Sequence, residues 1–462
     1  MGMQWFRDFG TPEWRRSLVG WLSFSLATHL ICSYFSVGYH SIDEQFQILE
    51  FLSFKLGRVP TADLSMEFFE QLRSWVQPAF YYGVVRALEW FGVESPFVWS
   101  WVFRLFSALV GWMSLVAMGI CSFVWFKNSR AQSFCLAAIG LLWFLPALHA
   151  RPSSEGLGGS FFVIGLCLTY LITLPKGTLP ESWSLLRTDA WVSGVAGLLF
   201  GLSFECRFQM AVMIFGVLLW VLVFKKARIS QLISCAVGFF TIFILGRWAD
   251  AWGYGVWTFS PWFYFKYNIL DGKVAGFGES PWWEIFRISL TESWPPLGLL
   301  MLISMLIAWL RHPRHVLTWA QVPFFVVHEW ISHKELRFFF PLLSAGPVIV
   351  TLCLDSVDRV WLNFLRSTSS RLRWIFYGIL GLIAIDYAIV FIVMIFAPAT
   401  RTVLLFKILY EKRLNHPKME TVFTLDRDPY TVFGTPTYFY KPKDLEIHKI
   451  SPDALAERIK KK

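Results

Sequence analysis

The chain has 462 residues, of which 55% are hydrophobic, 18% aromatic and only 16% charged. A soluble domain of this length needs more charge to cover its surface, so the composition excludes an ordinary soluble protein. The net charge of +10 does not indicate nucleic-acid binding, because the basic residues form short clusters between apolar runs rather than one patch. The seven cysteines lie in or beside apolar stretches without metal-site spacing, so we interpret them as packing residues.

Eleven apolar stretches are candidate membrane spans, since a helix needs about 20 residues to cross the hydrocarbon core. The first follows Arg15 and Arg16 and is interpreted as an anchor rather than a cleaved signal. The segment 78–92 contains Arg86 and Glu89, so we interpret it as interfacial or re-entrant. The sequence thus predicts an all-α polytopic membrane protein with spans near 18–38, 97–126, 131–149, 156–174, 190–204, 208–224, 231–248, 295–310, 316–331, 336–354 and 373–396.

Basic loops predict the orientation, because Lys and Arg favour the cytoplasmic side. With the N-terminus inside, eleven crossings keep every basic cluster inside, whereas a further span at 78–92 would move the later clusters outside. These clusters are Arg7, Arg15 and Arg16; Lys127 and Arg130; Lys225, Lys226 and Arg228; Arg311 and Arg314; and Arg359, Arg366, Arg371 and Arg373. A transmembrane domain, 1–397, is therefore followed by a small extracytoplasmic segment, 398–462, and two long loops, 39–96 and 249–294, also lie outside.

The first outer loop begins with closely spaced acidic residues. Asp43, Glu44, Gln47 and Glu50 recur at helical spacing, which predicts an amphipathic helix on the membrane surface with its carboxylates facing a cavity. A carboxylate placed there can remove a proton from an attacking hydroxyl. The alternative is a helix N-terminus with solvated charges, where acidic residues are also favoured.

A second group of polar residues joins two candidate spans on the outer side. His333, Lys334 and Arg337 put three potential cations within five residues, with Glu335 among them, a pattern that would attract a phosphate. His328 and Glu329 precede this group, but the spacing is not His-Glu-x-x-His, so it is weak evidence for zinc.

Two further outer segments carry polar residues. Arg207 lies at a short turn and could contact a phosphate; a structural pair with Glu205 is the alternative. The loop 249–294 is rich in aromatic residues, which suit both the apolar faces of sugars and plain interface anchoring. Its candidate substrate-binding residues are Asp250, Tyr254, Tyr267, Asn268 and Trp282.

Together these segments resemble the GT-C glycosyltransferases, specifically the dolichyl-phosphate-mannose-dependent α-mannosyltransferases of glycosyltransferase family 22. The resemblance extends over most of the chain, and its most specific element is the His-Lys-Glu-x-Arg-Phe run at 333–338. The other matching elements, in order, are Asp43-Glu44 with Glu50, Arg73-Ser74 with Pro78, and Asp250, Tyr254-Gly255, Tyr267-Asn268 and Pro281-Trp282.

The resemblance implies a GT-C fold and an inverting transfer of mannose from a polyprenyl-phosphate-mannose donor to a lipid-linked glycan or glycolipid. Inversion by a single displacement needs one base and charge stabilisation at the leaving phosphate. We expect Asp43 to be the base, with Glu44 second. The phosphate would be bound by His333, Lys334, Arg337 and Arg207, and the substrates by Gln47, Glu50 and Glu335 together with the residues of the second long loop.

Clustered cations can replace a divalent ion, so the expected reaction is metal-independent and uses no cofactor. The segment 149–155 lacks the Asn of the related families, which leaves the acceptor open, and the membrane could be a bacterial inner membrane or the endoplasmic reticulum. Three alternatives remain: a GT-C enzyme that uses another lipid-phosphate sugar, a lipid or sugar transporter, and a noncatalytic subunit. A transporter would be expected to carry charges near mid-span, whereas here they gather at one interface.

Overall fold

The computed structural model describes residues 10–175, 178, 190–225, 227–367, 369–416, 420–425 and 427–455. Arg7, Lys226 and the end of the tail, 456–462, lie outside the described residues. The first half contains helices α1 (Pro12–Phe35), α2 (Glu50–Lys55), α3 (Met66–Phe69), α4 (Val76–Trp90), α5 (Pro96–Trp125), α6 (Ser129–Leu141), α7 (Leu145–Ala150), α8 (Ser154–Ile172), α9 (Ala190–Cys206) and α10 (Met210–Phe224).

The second half continues with α11 (Ile229–Tyr254), α12 (Ser260–Phe265), α13 (Glu284–Thr291), α14 (Leu297–Arg311), α15 (Val316–Trp330), α16 (Phe340–Leu343), α17 (Gly346–Ser367), α18 (Ser370–Phe396) and α19 (Arg401–Asn415). The chain also forms π-helices at Glu44–Leu49 and Lys266–Leu270 and 3₁₀-helices at Thr61–Asp63, Lys273–Phe277 and Leu336–Phe339.

The C-terminal segment contains four short strands, so the all-α prediction is wrong for this part of the chain. Strand β1 (Thr421–Thr424) pairs in parallel with β4 (Glu446–Lys449), and β2 (Thr431–Val432) pairs antiparallel with β3 (Thr435–Pro436). The positive φ of Gly434, 81°, suits the tight turn between β2 and β3. The tail contains several prolines, which are typical of turns and give no strand pattern.

Each of the eleven apolar stretches predicted as spans is helical, two of them as broken pairs. Within the described residues, five segments are long and apolar enough to cross a membrane: α1, α5, α8, α11 and Ser370–Asn415. The segment Leu336–Leu343, which contains α16, and the first part of α17 would form a sixth span if the pair, bent by 75°, is counted as one. Helices α9, α10 and α14 are apolar but shorter. A count of about eleven transmembrane helices therefore remains a prediction.

Two hydrophobic cores are the largest among the described residues. The larger lies between the apolar helices, and the smaller joins the first outer loop, α4 and α5 to α19 and the C-terminal segment. Ile48 and Leu49 of the π-helix are buried in this smaller core beside Tyr81, Phe103 and Phe406. The prediction of an amphipathic helix lying on the membrane surface is therefore wrong for this stretch, because its apolar residues Ile48 and Leu49 face protein.

Close backbone approach brings α11 against its neighbours. A Cβ atom at Gly246 would lie 2.4 Å from the Glu205 carboxyl carbon, and one at Gly253 would lie 2.0 Å from the Trp75 ring. Glycine at these two positions therefore lets α9 and the segment before α4 pack directly on α11. This packing fixes the loop that carries Arg73.

Candidate active site

Asp43 lies immediately before the π-helix and faces two arginines from distant segments. Its Oδ2 atom forms an ion pair with Arg337 Nη1, and Arg73 Nη2 lies 3.7 Å from the same oxygen. π-Helical turns are rare and frequently occur at functional sites, where they reorient single side chains. The Asp43 side chain keeps 17% of its exposure, so a substrate group can reach it.

Charge dominates the ionisation of Asp43. Burial by itself would raise the pKa of this carboxyl, but Arg337, Arg73 and Arg207 outweigh burial and hold the pKa below its usual range. Asp43 is consequently an ionised carboxylate at neutral pH. This is the state that a proton acceptor requires.

Arg337 links Asp43 to the rest of its own turn. Its Nε and Nη2 atoms donate to the two oxygens of Glu335 at 2.6 and 3.0 Å, and Nη1 donates to Ser41 Oγ at 2.8 Å. Arginine stays protonated in proteins, and here the carboxylates of Asp43 and Glu335 flank the guanidinium of Arg337. The guanidinium therefore carries a fixed positive charge at the centre of the cluster.

The other two candidate phosphate-binding residues of this turn have different partners. His333 Nε2 lies 2.9 Å from Glu335 Oε1, and the largely buried Lys334 donates to the backbone carbonyls of Ile331 at 2.9 Å and Ser280 at 3.3 Å. Lys334 thus ties the turn to the second long loop. Of the three cations predicted to converge, the structure directs Arg337 at Asp43.

Glu44 points away from Asp43 toward the backbone. Its Oε1 atom accepts the N–H groups of His40 and Ser41 at 3.1 and 3.3 Å, and Oε2 lies 3.9 Å from Arg151 Nε. Burial raises the pKa of the Glu44 carboxyl despite the nearby Arg151. Glu44 therefore stabilises the turn that carries Ser41 and Asp43, and the structure does not support it as a second base.

Arg207 contacts a partner that the sequence analysis did not consider. Its Nη1 atom lies 3.0 Å from Glu155 Oε1, at the start of α8, and its guanidinium lies 5.5 Å from the centre of the Phe338 ring. The alternative pairing with Glu205 is wrong. Arg207 contributes charge at Asp43 through its proximity to the Arg337 turn, as the lowered pKa of Asp43 reflects.

Glu50 binds the C-terminal segment. Its Oε1 atom accepts Gln45 Nε2 at 2.6 Å and the backbone N–H groups of Tyr438 and Phe439 at 2.9 and 3.2 Å. Burial raises the pKa of this carboxyl to about 7. The prediction that the carboxylates of the first loop share one face is therefore wrong, because Asp43, Glu44 and Glu50 have separate partners.

Asp250 belongs to a second, fully buried charge cluster with Glu205 and Arg247. Arg247 Nη2 donates to both oxygens of Glu205 at 2.8 Å, and Arg247 Nη1 lies 3.0 Å from Asp250 Oδ2. Asp250 Oδ1 accepts the backbone N–H of Trp75 at 2.8 Å, and Ser74 Oγ donates to Glu205 at 2.6 Å. Both carboxylates have fully buried side chains, so they hold the Arg73 segment rather than a substrate.

Tyr254 holds the same segment from the end of α11. Its hydroxyl donates to the Arg73 carbonyl at 2.8 Å and accepts the Arg73 N–H at 3.2 Å. Asp250 and Tyr254, both predicted as substrate-binding residues, are therefore positioned to orient Arg73.

The remaining predicted substrate-binding residues lie at different distances from Asp43. Gln47 Nε2 donates to Glu67 at 2.8 Å, beside Arg73. Asn268 donates to the Tyr264 carbonyl, the Tyr267 hydroxyl meets Met66 Sδ at 3.6 Å, and Trp282 is 70% exposed. Gln47 thus adjoins the cluster, whereas the structure gives Trp282 no protein environment that resembles a binding pocket.

An apolar cavity of about 330 Å³ opens beside the cluster. Its wall includes His40 and Arg151 from the polar side and Leu336 and Phe340 from the Arg337 turn. The rest of the wall comes from apolar helices, including Trp143, Phe144, Leu148, Ile285, Met301, Leu302, Met305, Phe325, Val393 and Met394. A long hydrocarbon group can therefore lie against protein while its polar end reaches the arginines.

Several residues of the site were absent from the predicted set. Arg73 was noted only as part of a motif, Arg151 and Glu155 lie in the segment 149–155 that was noted only for its missing Asn, and Glu67 was not noted at all. Arg247 could have been found, because an arginine inside an apolar span is costly and indicates a buried partner. Among the described residues, no three histidine, cysteine, aspartate or glutamate side chains converge as metal ligands would, so the weak zinc interpretation gains no support.

Comparison with known proteins identifies the family. Residues 21–440 match the model of the Alg9-like mannosyltransferase family. The chain belongs to this family. The family predicted from the motifs is thereby confirmed.

Two curated relatives match parts of the chain. One is the probable Dol-P-Man:Man(7)GlcNAc(2)-PP-Dol alpha-1,6-mannosyltransferase of Schizosaccharomyces pombe, 23% identical over 43% of this chain and 39% of that protein. The other is GPI alpha-1,2-mannosyltransferase 3 of Danio rerio, 21% identical over 63% of this chain and 52% of that protein. The matched regions span about half or less of these relatives.

Two solved structures share the fold. ArnT from Cupriavidus metallidurans, bound to undecaprenyl phosphate, gives a TM-score of 0.56 at 12% identity and covers 96% of this chain and 88% of its own. The Archaeoglobus fulgidus oligosaccharyltransferase, in complex with Zn and sulfate, gives a TM-score of 0.50 at 14% identity. The match covers 92% of this chain and 58% of that chain. The two matches cover 96% and 92% of this chain, so the chain shares the fold of these two proteins over nearly its whole length.

Proposed function

We propose that the protein transfers mannose from a polyprenyl-phosphate-mannose donor to a hydroxyl of a lipid-linked glycan or glycolipid. The observation that carries the proposal is the position of the ionised Asp43 between Arg337 and Arg73, next to an apolar cavity. A lipid phosphate needs both features, a hydrocarbon groove and fixed cations at its end. Family membership favours mannose as the sugar.

The donor would place its polyprenyl chain in the cavity and its phosphate at the cavity mouth. Arg151 and His40 line the cavity, and Arg337 follows the cavity residue Leu336. A bound phosphate would compete with Asp43 and Glu335 for the guanidinium of Arg337. Asp43 would then be partly released from its ion pair at the moment when the donor is in place, and it would become a stronger base.

Transfer would proceed by one displacement. The acceptor oxygen forms a bond to the anomeric carbon, the bond between that carbon and the phosphate oxygen breaks, and its electron pair leaves with the phosphate. The hydroxyl proton passes to Asp43, and Arg337 and Arg207 stabilise the charge that develops on the leaving phosphate. A phosphate is a good leaving group, so no second carboxyl is needed as a general acid, in contrast to glycoside hydrolysis.

The orientation inferred from basic loops would put this site on the extracytoplasmic face. The predicted membrane is a bacterial inner membrane or the endoplasmic reticulum. Because guanidinium groups supply the positive charge, we expect transfer to proceed in the presence of a chelator. A loss of activity with EDTA that magnesium or manganese restores would contradict this part of the proposal.

The decisive experiment offers purified protein radiolabelled polyprenyl-phosphate-mannose and, separately, polyprenyl-phosphate-glucose, with a membrane lipid extract as the source of acceptors. We expect label from mannose to appear in a lipid-linked glycan or glycolipid, and none from glucose. Transfer from glucose alone would favour a GT-C enzyme for another sugar. Transfer from neither donor would contradict the proposed function.

A further inference from the structure

Glu67 lies near Asp43, on the far side of the Arg73 guanidinium, and does not line the apolar cavity. It belongs to the short helix α3 and keeps 17% of its side-chain exposure. Neither Glu67 nor Arg73 contributes to the wall of the cavity, which includes His40, Arg151 and residues of the Arg337 turn. The site therefore offers an apolar cavity near Asp43 and, separate from the lining of that cavity, a polar and partly exposed patch at Glu67 and Arg73.

The position of Glu67 is fixed by its neighbours in the chain. Phe68, the next residue, packs against Phe51, Trp75 and Tyr254 at ring distances of 5.7, 6.3 and 5.4 Å. Leu64 is buried in the same small apolar cluster. A carboxylate held by a packed helix is preorganised for binding, because little conformational entropy is lost when a ligand arrives.

Glu67 is connected to the proposed base through one guanidinium. Arg73 Nη2 lies 3.9 Å from Glu67 Oε1 and 3.7 Å from Asp43 Oδ2. The two carboxylate oxygens are therefore no farther apart than the sum of these two distances, which adjacent hydroxyls of one sugar can bridge. A hexose that places one hydroxyl at Asp43 can present a neighbouring hydroxyl to Glu67.

The hydrogen bonds of Glu67 leave room for such a ligand. Gln47 Nε2 donates to Oε1 at 2.8 Å, whereas within the described part of the chain no hydrogen bond reaches Oε2. Arg73 Nε is likewise buried without an acceptor among the described residues. Met66 precedes Glu67, and its Sδ atom lies 3.6 Å from the Tyr267 hydroxyl. These two side chains give the patch a surface that is less polar than that of Glu67 and Arg73.

We infer that Glu67, held by Gln47 and Arg73, binds a hydroxyl of the acceptor sugar next to the hydroxyl that attacks the donor. The inference rests on the proposed function, and it assigns the acceptor to the patch at Glu67 and Arg73, separate from the cavity that takes the donor lipid. The ligand is a sugar hydroxyl in either substrate. The acceptor is favoured because the donor phosphate and hydrocarbon are drawn to the cavity side.

The test compares Glu67→Gln with Glu70→Gln in purified protein. Glu70 lies three residues away, and its contact is an exposed pair with Lys273 at 3.9 Å, so the control makes the same charge change outside the site. The probes are polyprenyl-phosphate-mannose and a synthetic lipid-linked α-mannoside, together with monodeoxy analogues of that mannoside. The measurements are kcat, the KM of each substrate and the thermal stability of each variant.

For Glu67→Gln we expect the acceptor KM to rise about tenfold or more, since charged hydrogen bonds to a substrate hydroxyl contribute that much, while donor KM and kcat stay within about twofold. Glu70→Gln should match the wild type. For one monodeoxy acceptor, the KM of the wild type should be higher than with the complete acceptor. The same loss of a hydroxyl should not raise the KM of Glu67→Gln further, because the contact is already absent in that variant. If Glu67→Gln proves unstable, Glu67→Asp should show the same KM effect in smaller measure.

An unchanged acceptor KM would overturn the inference, as would a rise in donor KM, which would assign Glu67 to the donor sugar. A fall in kcat alone would also overturn it, because Glu67 would then act on the reacting atoms. These outcomes leave the wild-type activity intact and so differ from failure of the proposed function. Wild-type protein that transfers mannose to no acceptor would overturn both.

Discussion

The chain contains two carboxylate–arginine clusters that are built from the same residue types but have different roles. In the first, Asp43 lies between Arg73 and Arg337, and the side chains keep between 12 and 20% of their exposure. In the second, Glu205 and Asp250 surround Arg247 with no exposed carboxylate surface. The carboxylates differ in accessibility, and the clusters also differ in charge, because two guanidinium groups flank one carboxylate in the first and two carboxylates flank one guanidinium in the second.

The partners of the second cluster explain its role. Ser74 and the Trp75 backbone occupy carboxylate oxygens that a substrate would otherwise need. A buried ion pair of this kind contributes little net stability, but removing one partner leaves an uncompensated charge. The comparison indicates that the second cluster fixes the Arg73 segment, while the first is left open to react.

The largest effect is expected for Asp43→Asn. The amide keeps the shape of the side chain but cannot accept a proton, so turnover should fall by about 10²–10⁴-fold. The melting temperature in detergent should be close to that of the wild type, because Asp43 remains partly exposed. Near-normal transfer by purified Asp43→Asn would contradict the assignment of the base.

Arg247→Met should lower stability rather than act on the chemistry. Loss of the guanidinium leaves Glu205 and Asp250 buried without their main partner, at a cost of about 3–5 kcal/mol in the free energy of unfolding. Arg73→Met, in the open cluster, should cost much less. Thermal unfolding of the two variants tests this, and equal destabilisation would remove the distinction between the clusters.

Glu50→Ala should loosen the C-terminal segment. The change removes the acceptor of the Tyr438 and Phe439 N–H groups, which costs about 1–3 kcal/mol when buried donors are left unsatisfied. Limited proteolysis should then cleave near 430–445 faster than in the wild type. Glu446→Ala, on an exposed strand, is the matched control, and equal protection of both variants would contradict the role of Glu50.

The same residue should make stability depend on pH. Burial raises the pKa of Glu50 from 4.5 to about 7, so the folded protein binds this proton more tightly than the unfolded chain does. The contribution of Glu50 to stability should therefore fall as pH rises from about 4.5 to 7 and stay constant above that. Glu50→Gln should flatten this part of the stability profile, and an unchanged slope would exclude Glu50 as its source.

The smallest effect is expected in the pH dependence of the open cluster. Arg73 helps to hold the pKa of Asp43 below its usual range. Arg73→Gln should therefore move the acidic limb of the kcat profile to higher pH, because Asp43 would be protonated sooner as pH falls. The alkaline limb serves as the internal reference and should not change. If the acidic limb does not move either, a group other than Asp43 controls it.

The amino-acid sequence by itself determined the helices and the family. Hydropathy is a local property, so each of the eleven apolar stretches forms a helix where the sequence predicts one. The ordered motifs identified the family because several matches in one order rarely arise by chance, and the family match over 21–440 agrees. The sequence also placed Asp43 and Arg337 in one candidate site.

Only the tertiary structure decided which charges meet. Spacing predicted one face for Asp43, Glu44 and Glu50, but the π-helix changes the period and gives each carboxylate its own partner. Likewise, Lys334 binds backbone carbonyls while Arg337 reaches Asp43, although both lie in one motif. Pairings between Glu50 and Phe439, or Glu205 and Arg247, depend on helix packing across the chain, and no local pattern encodes them.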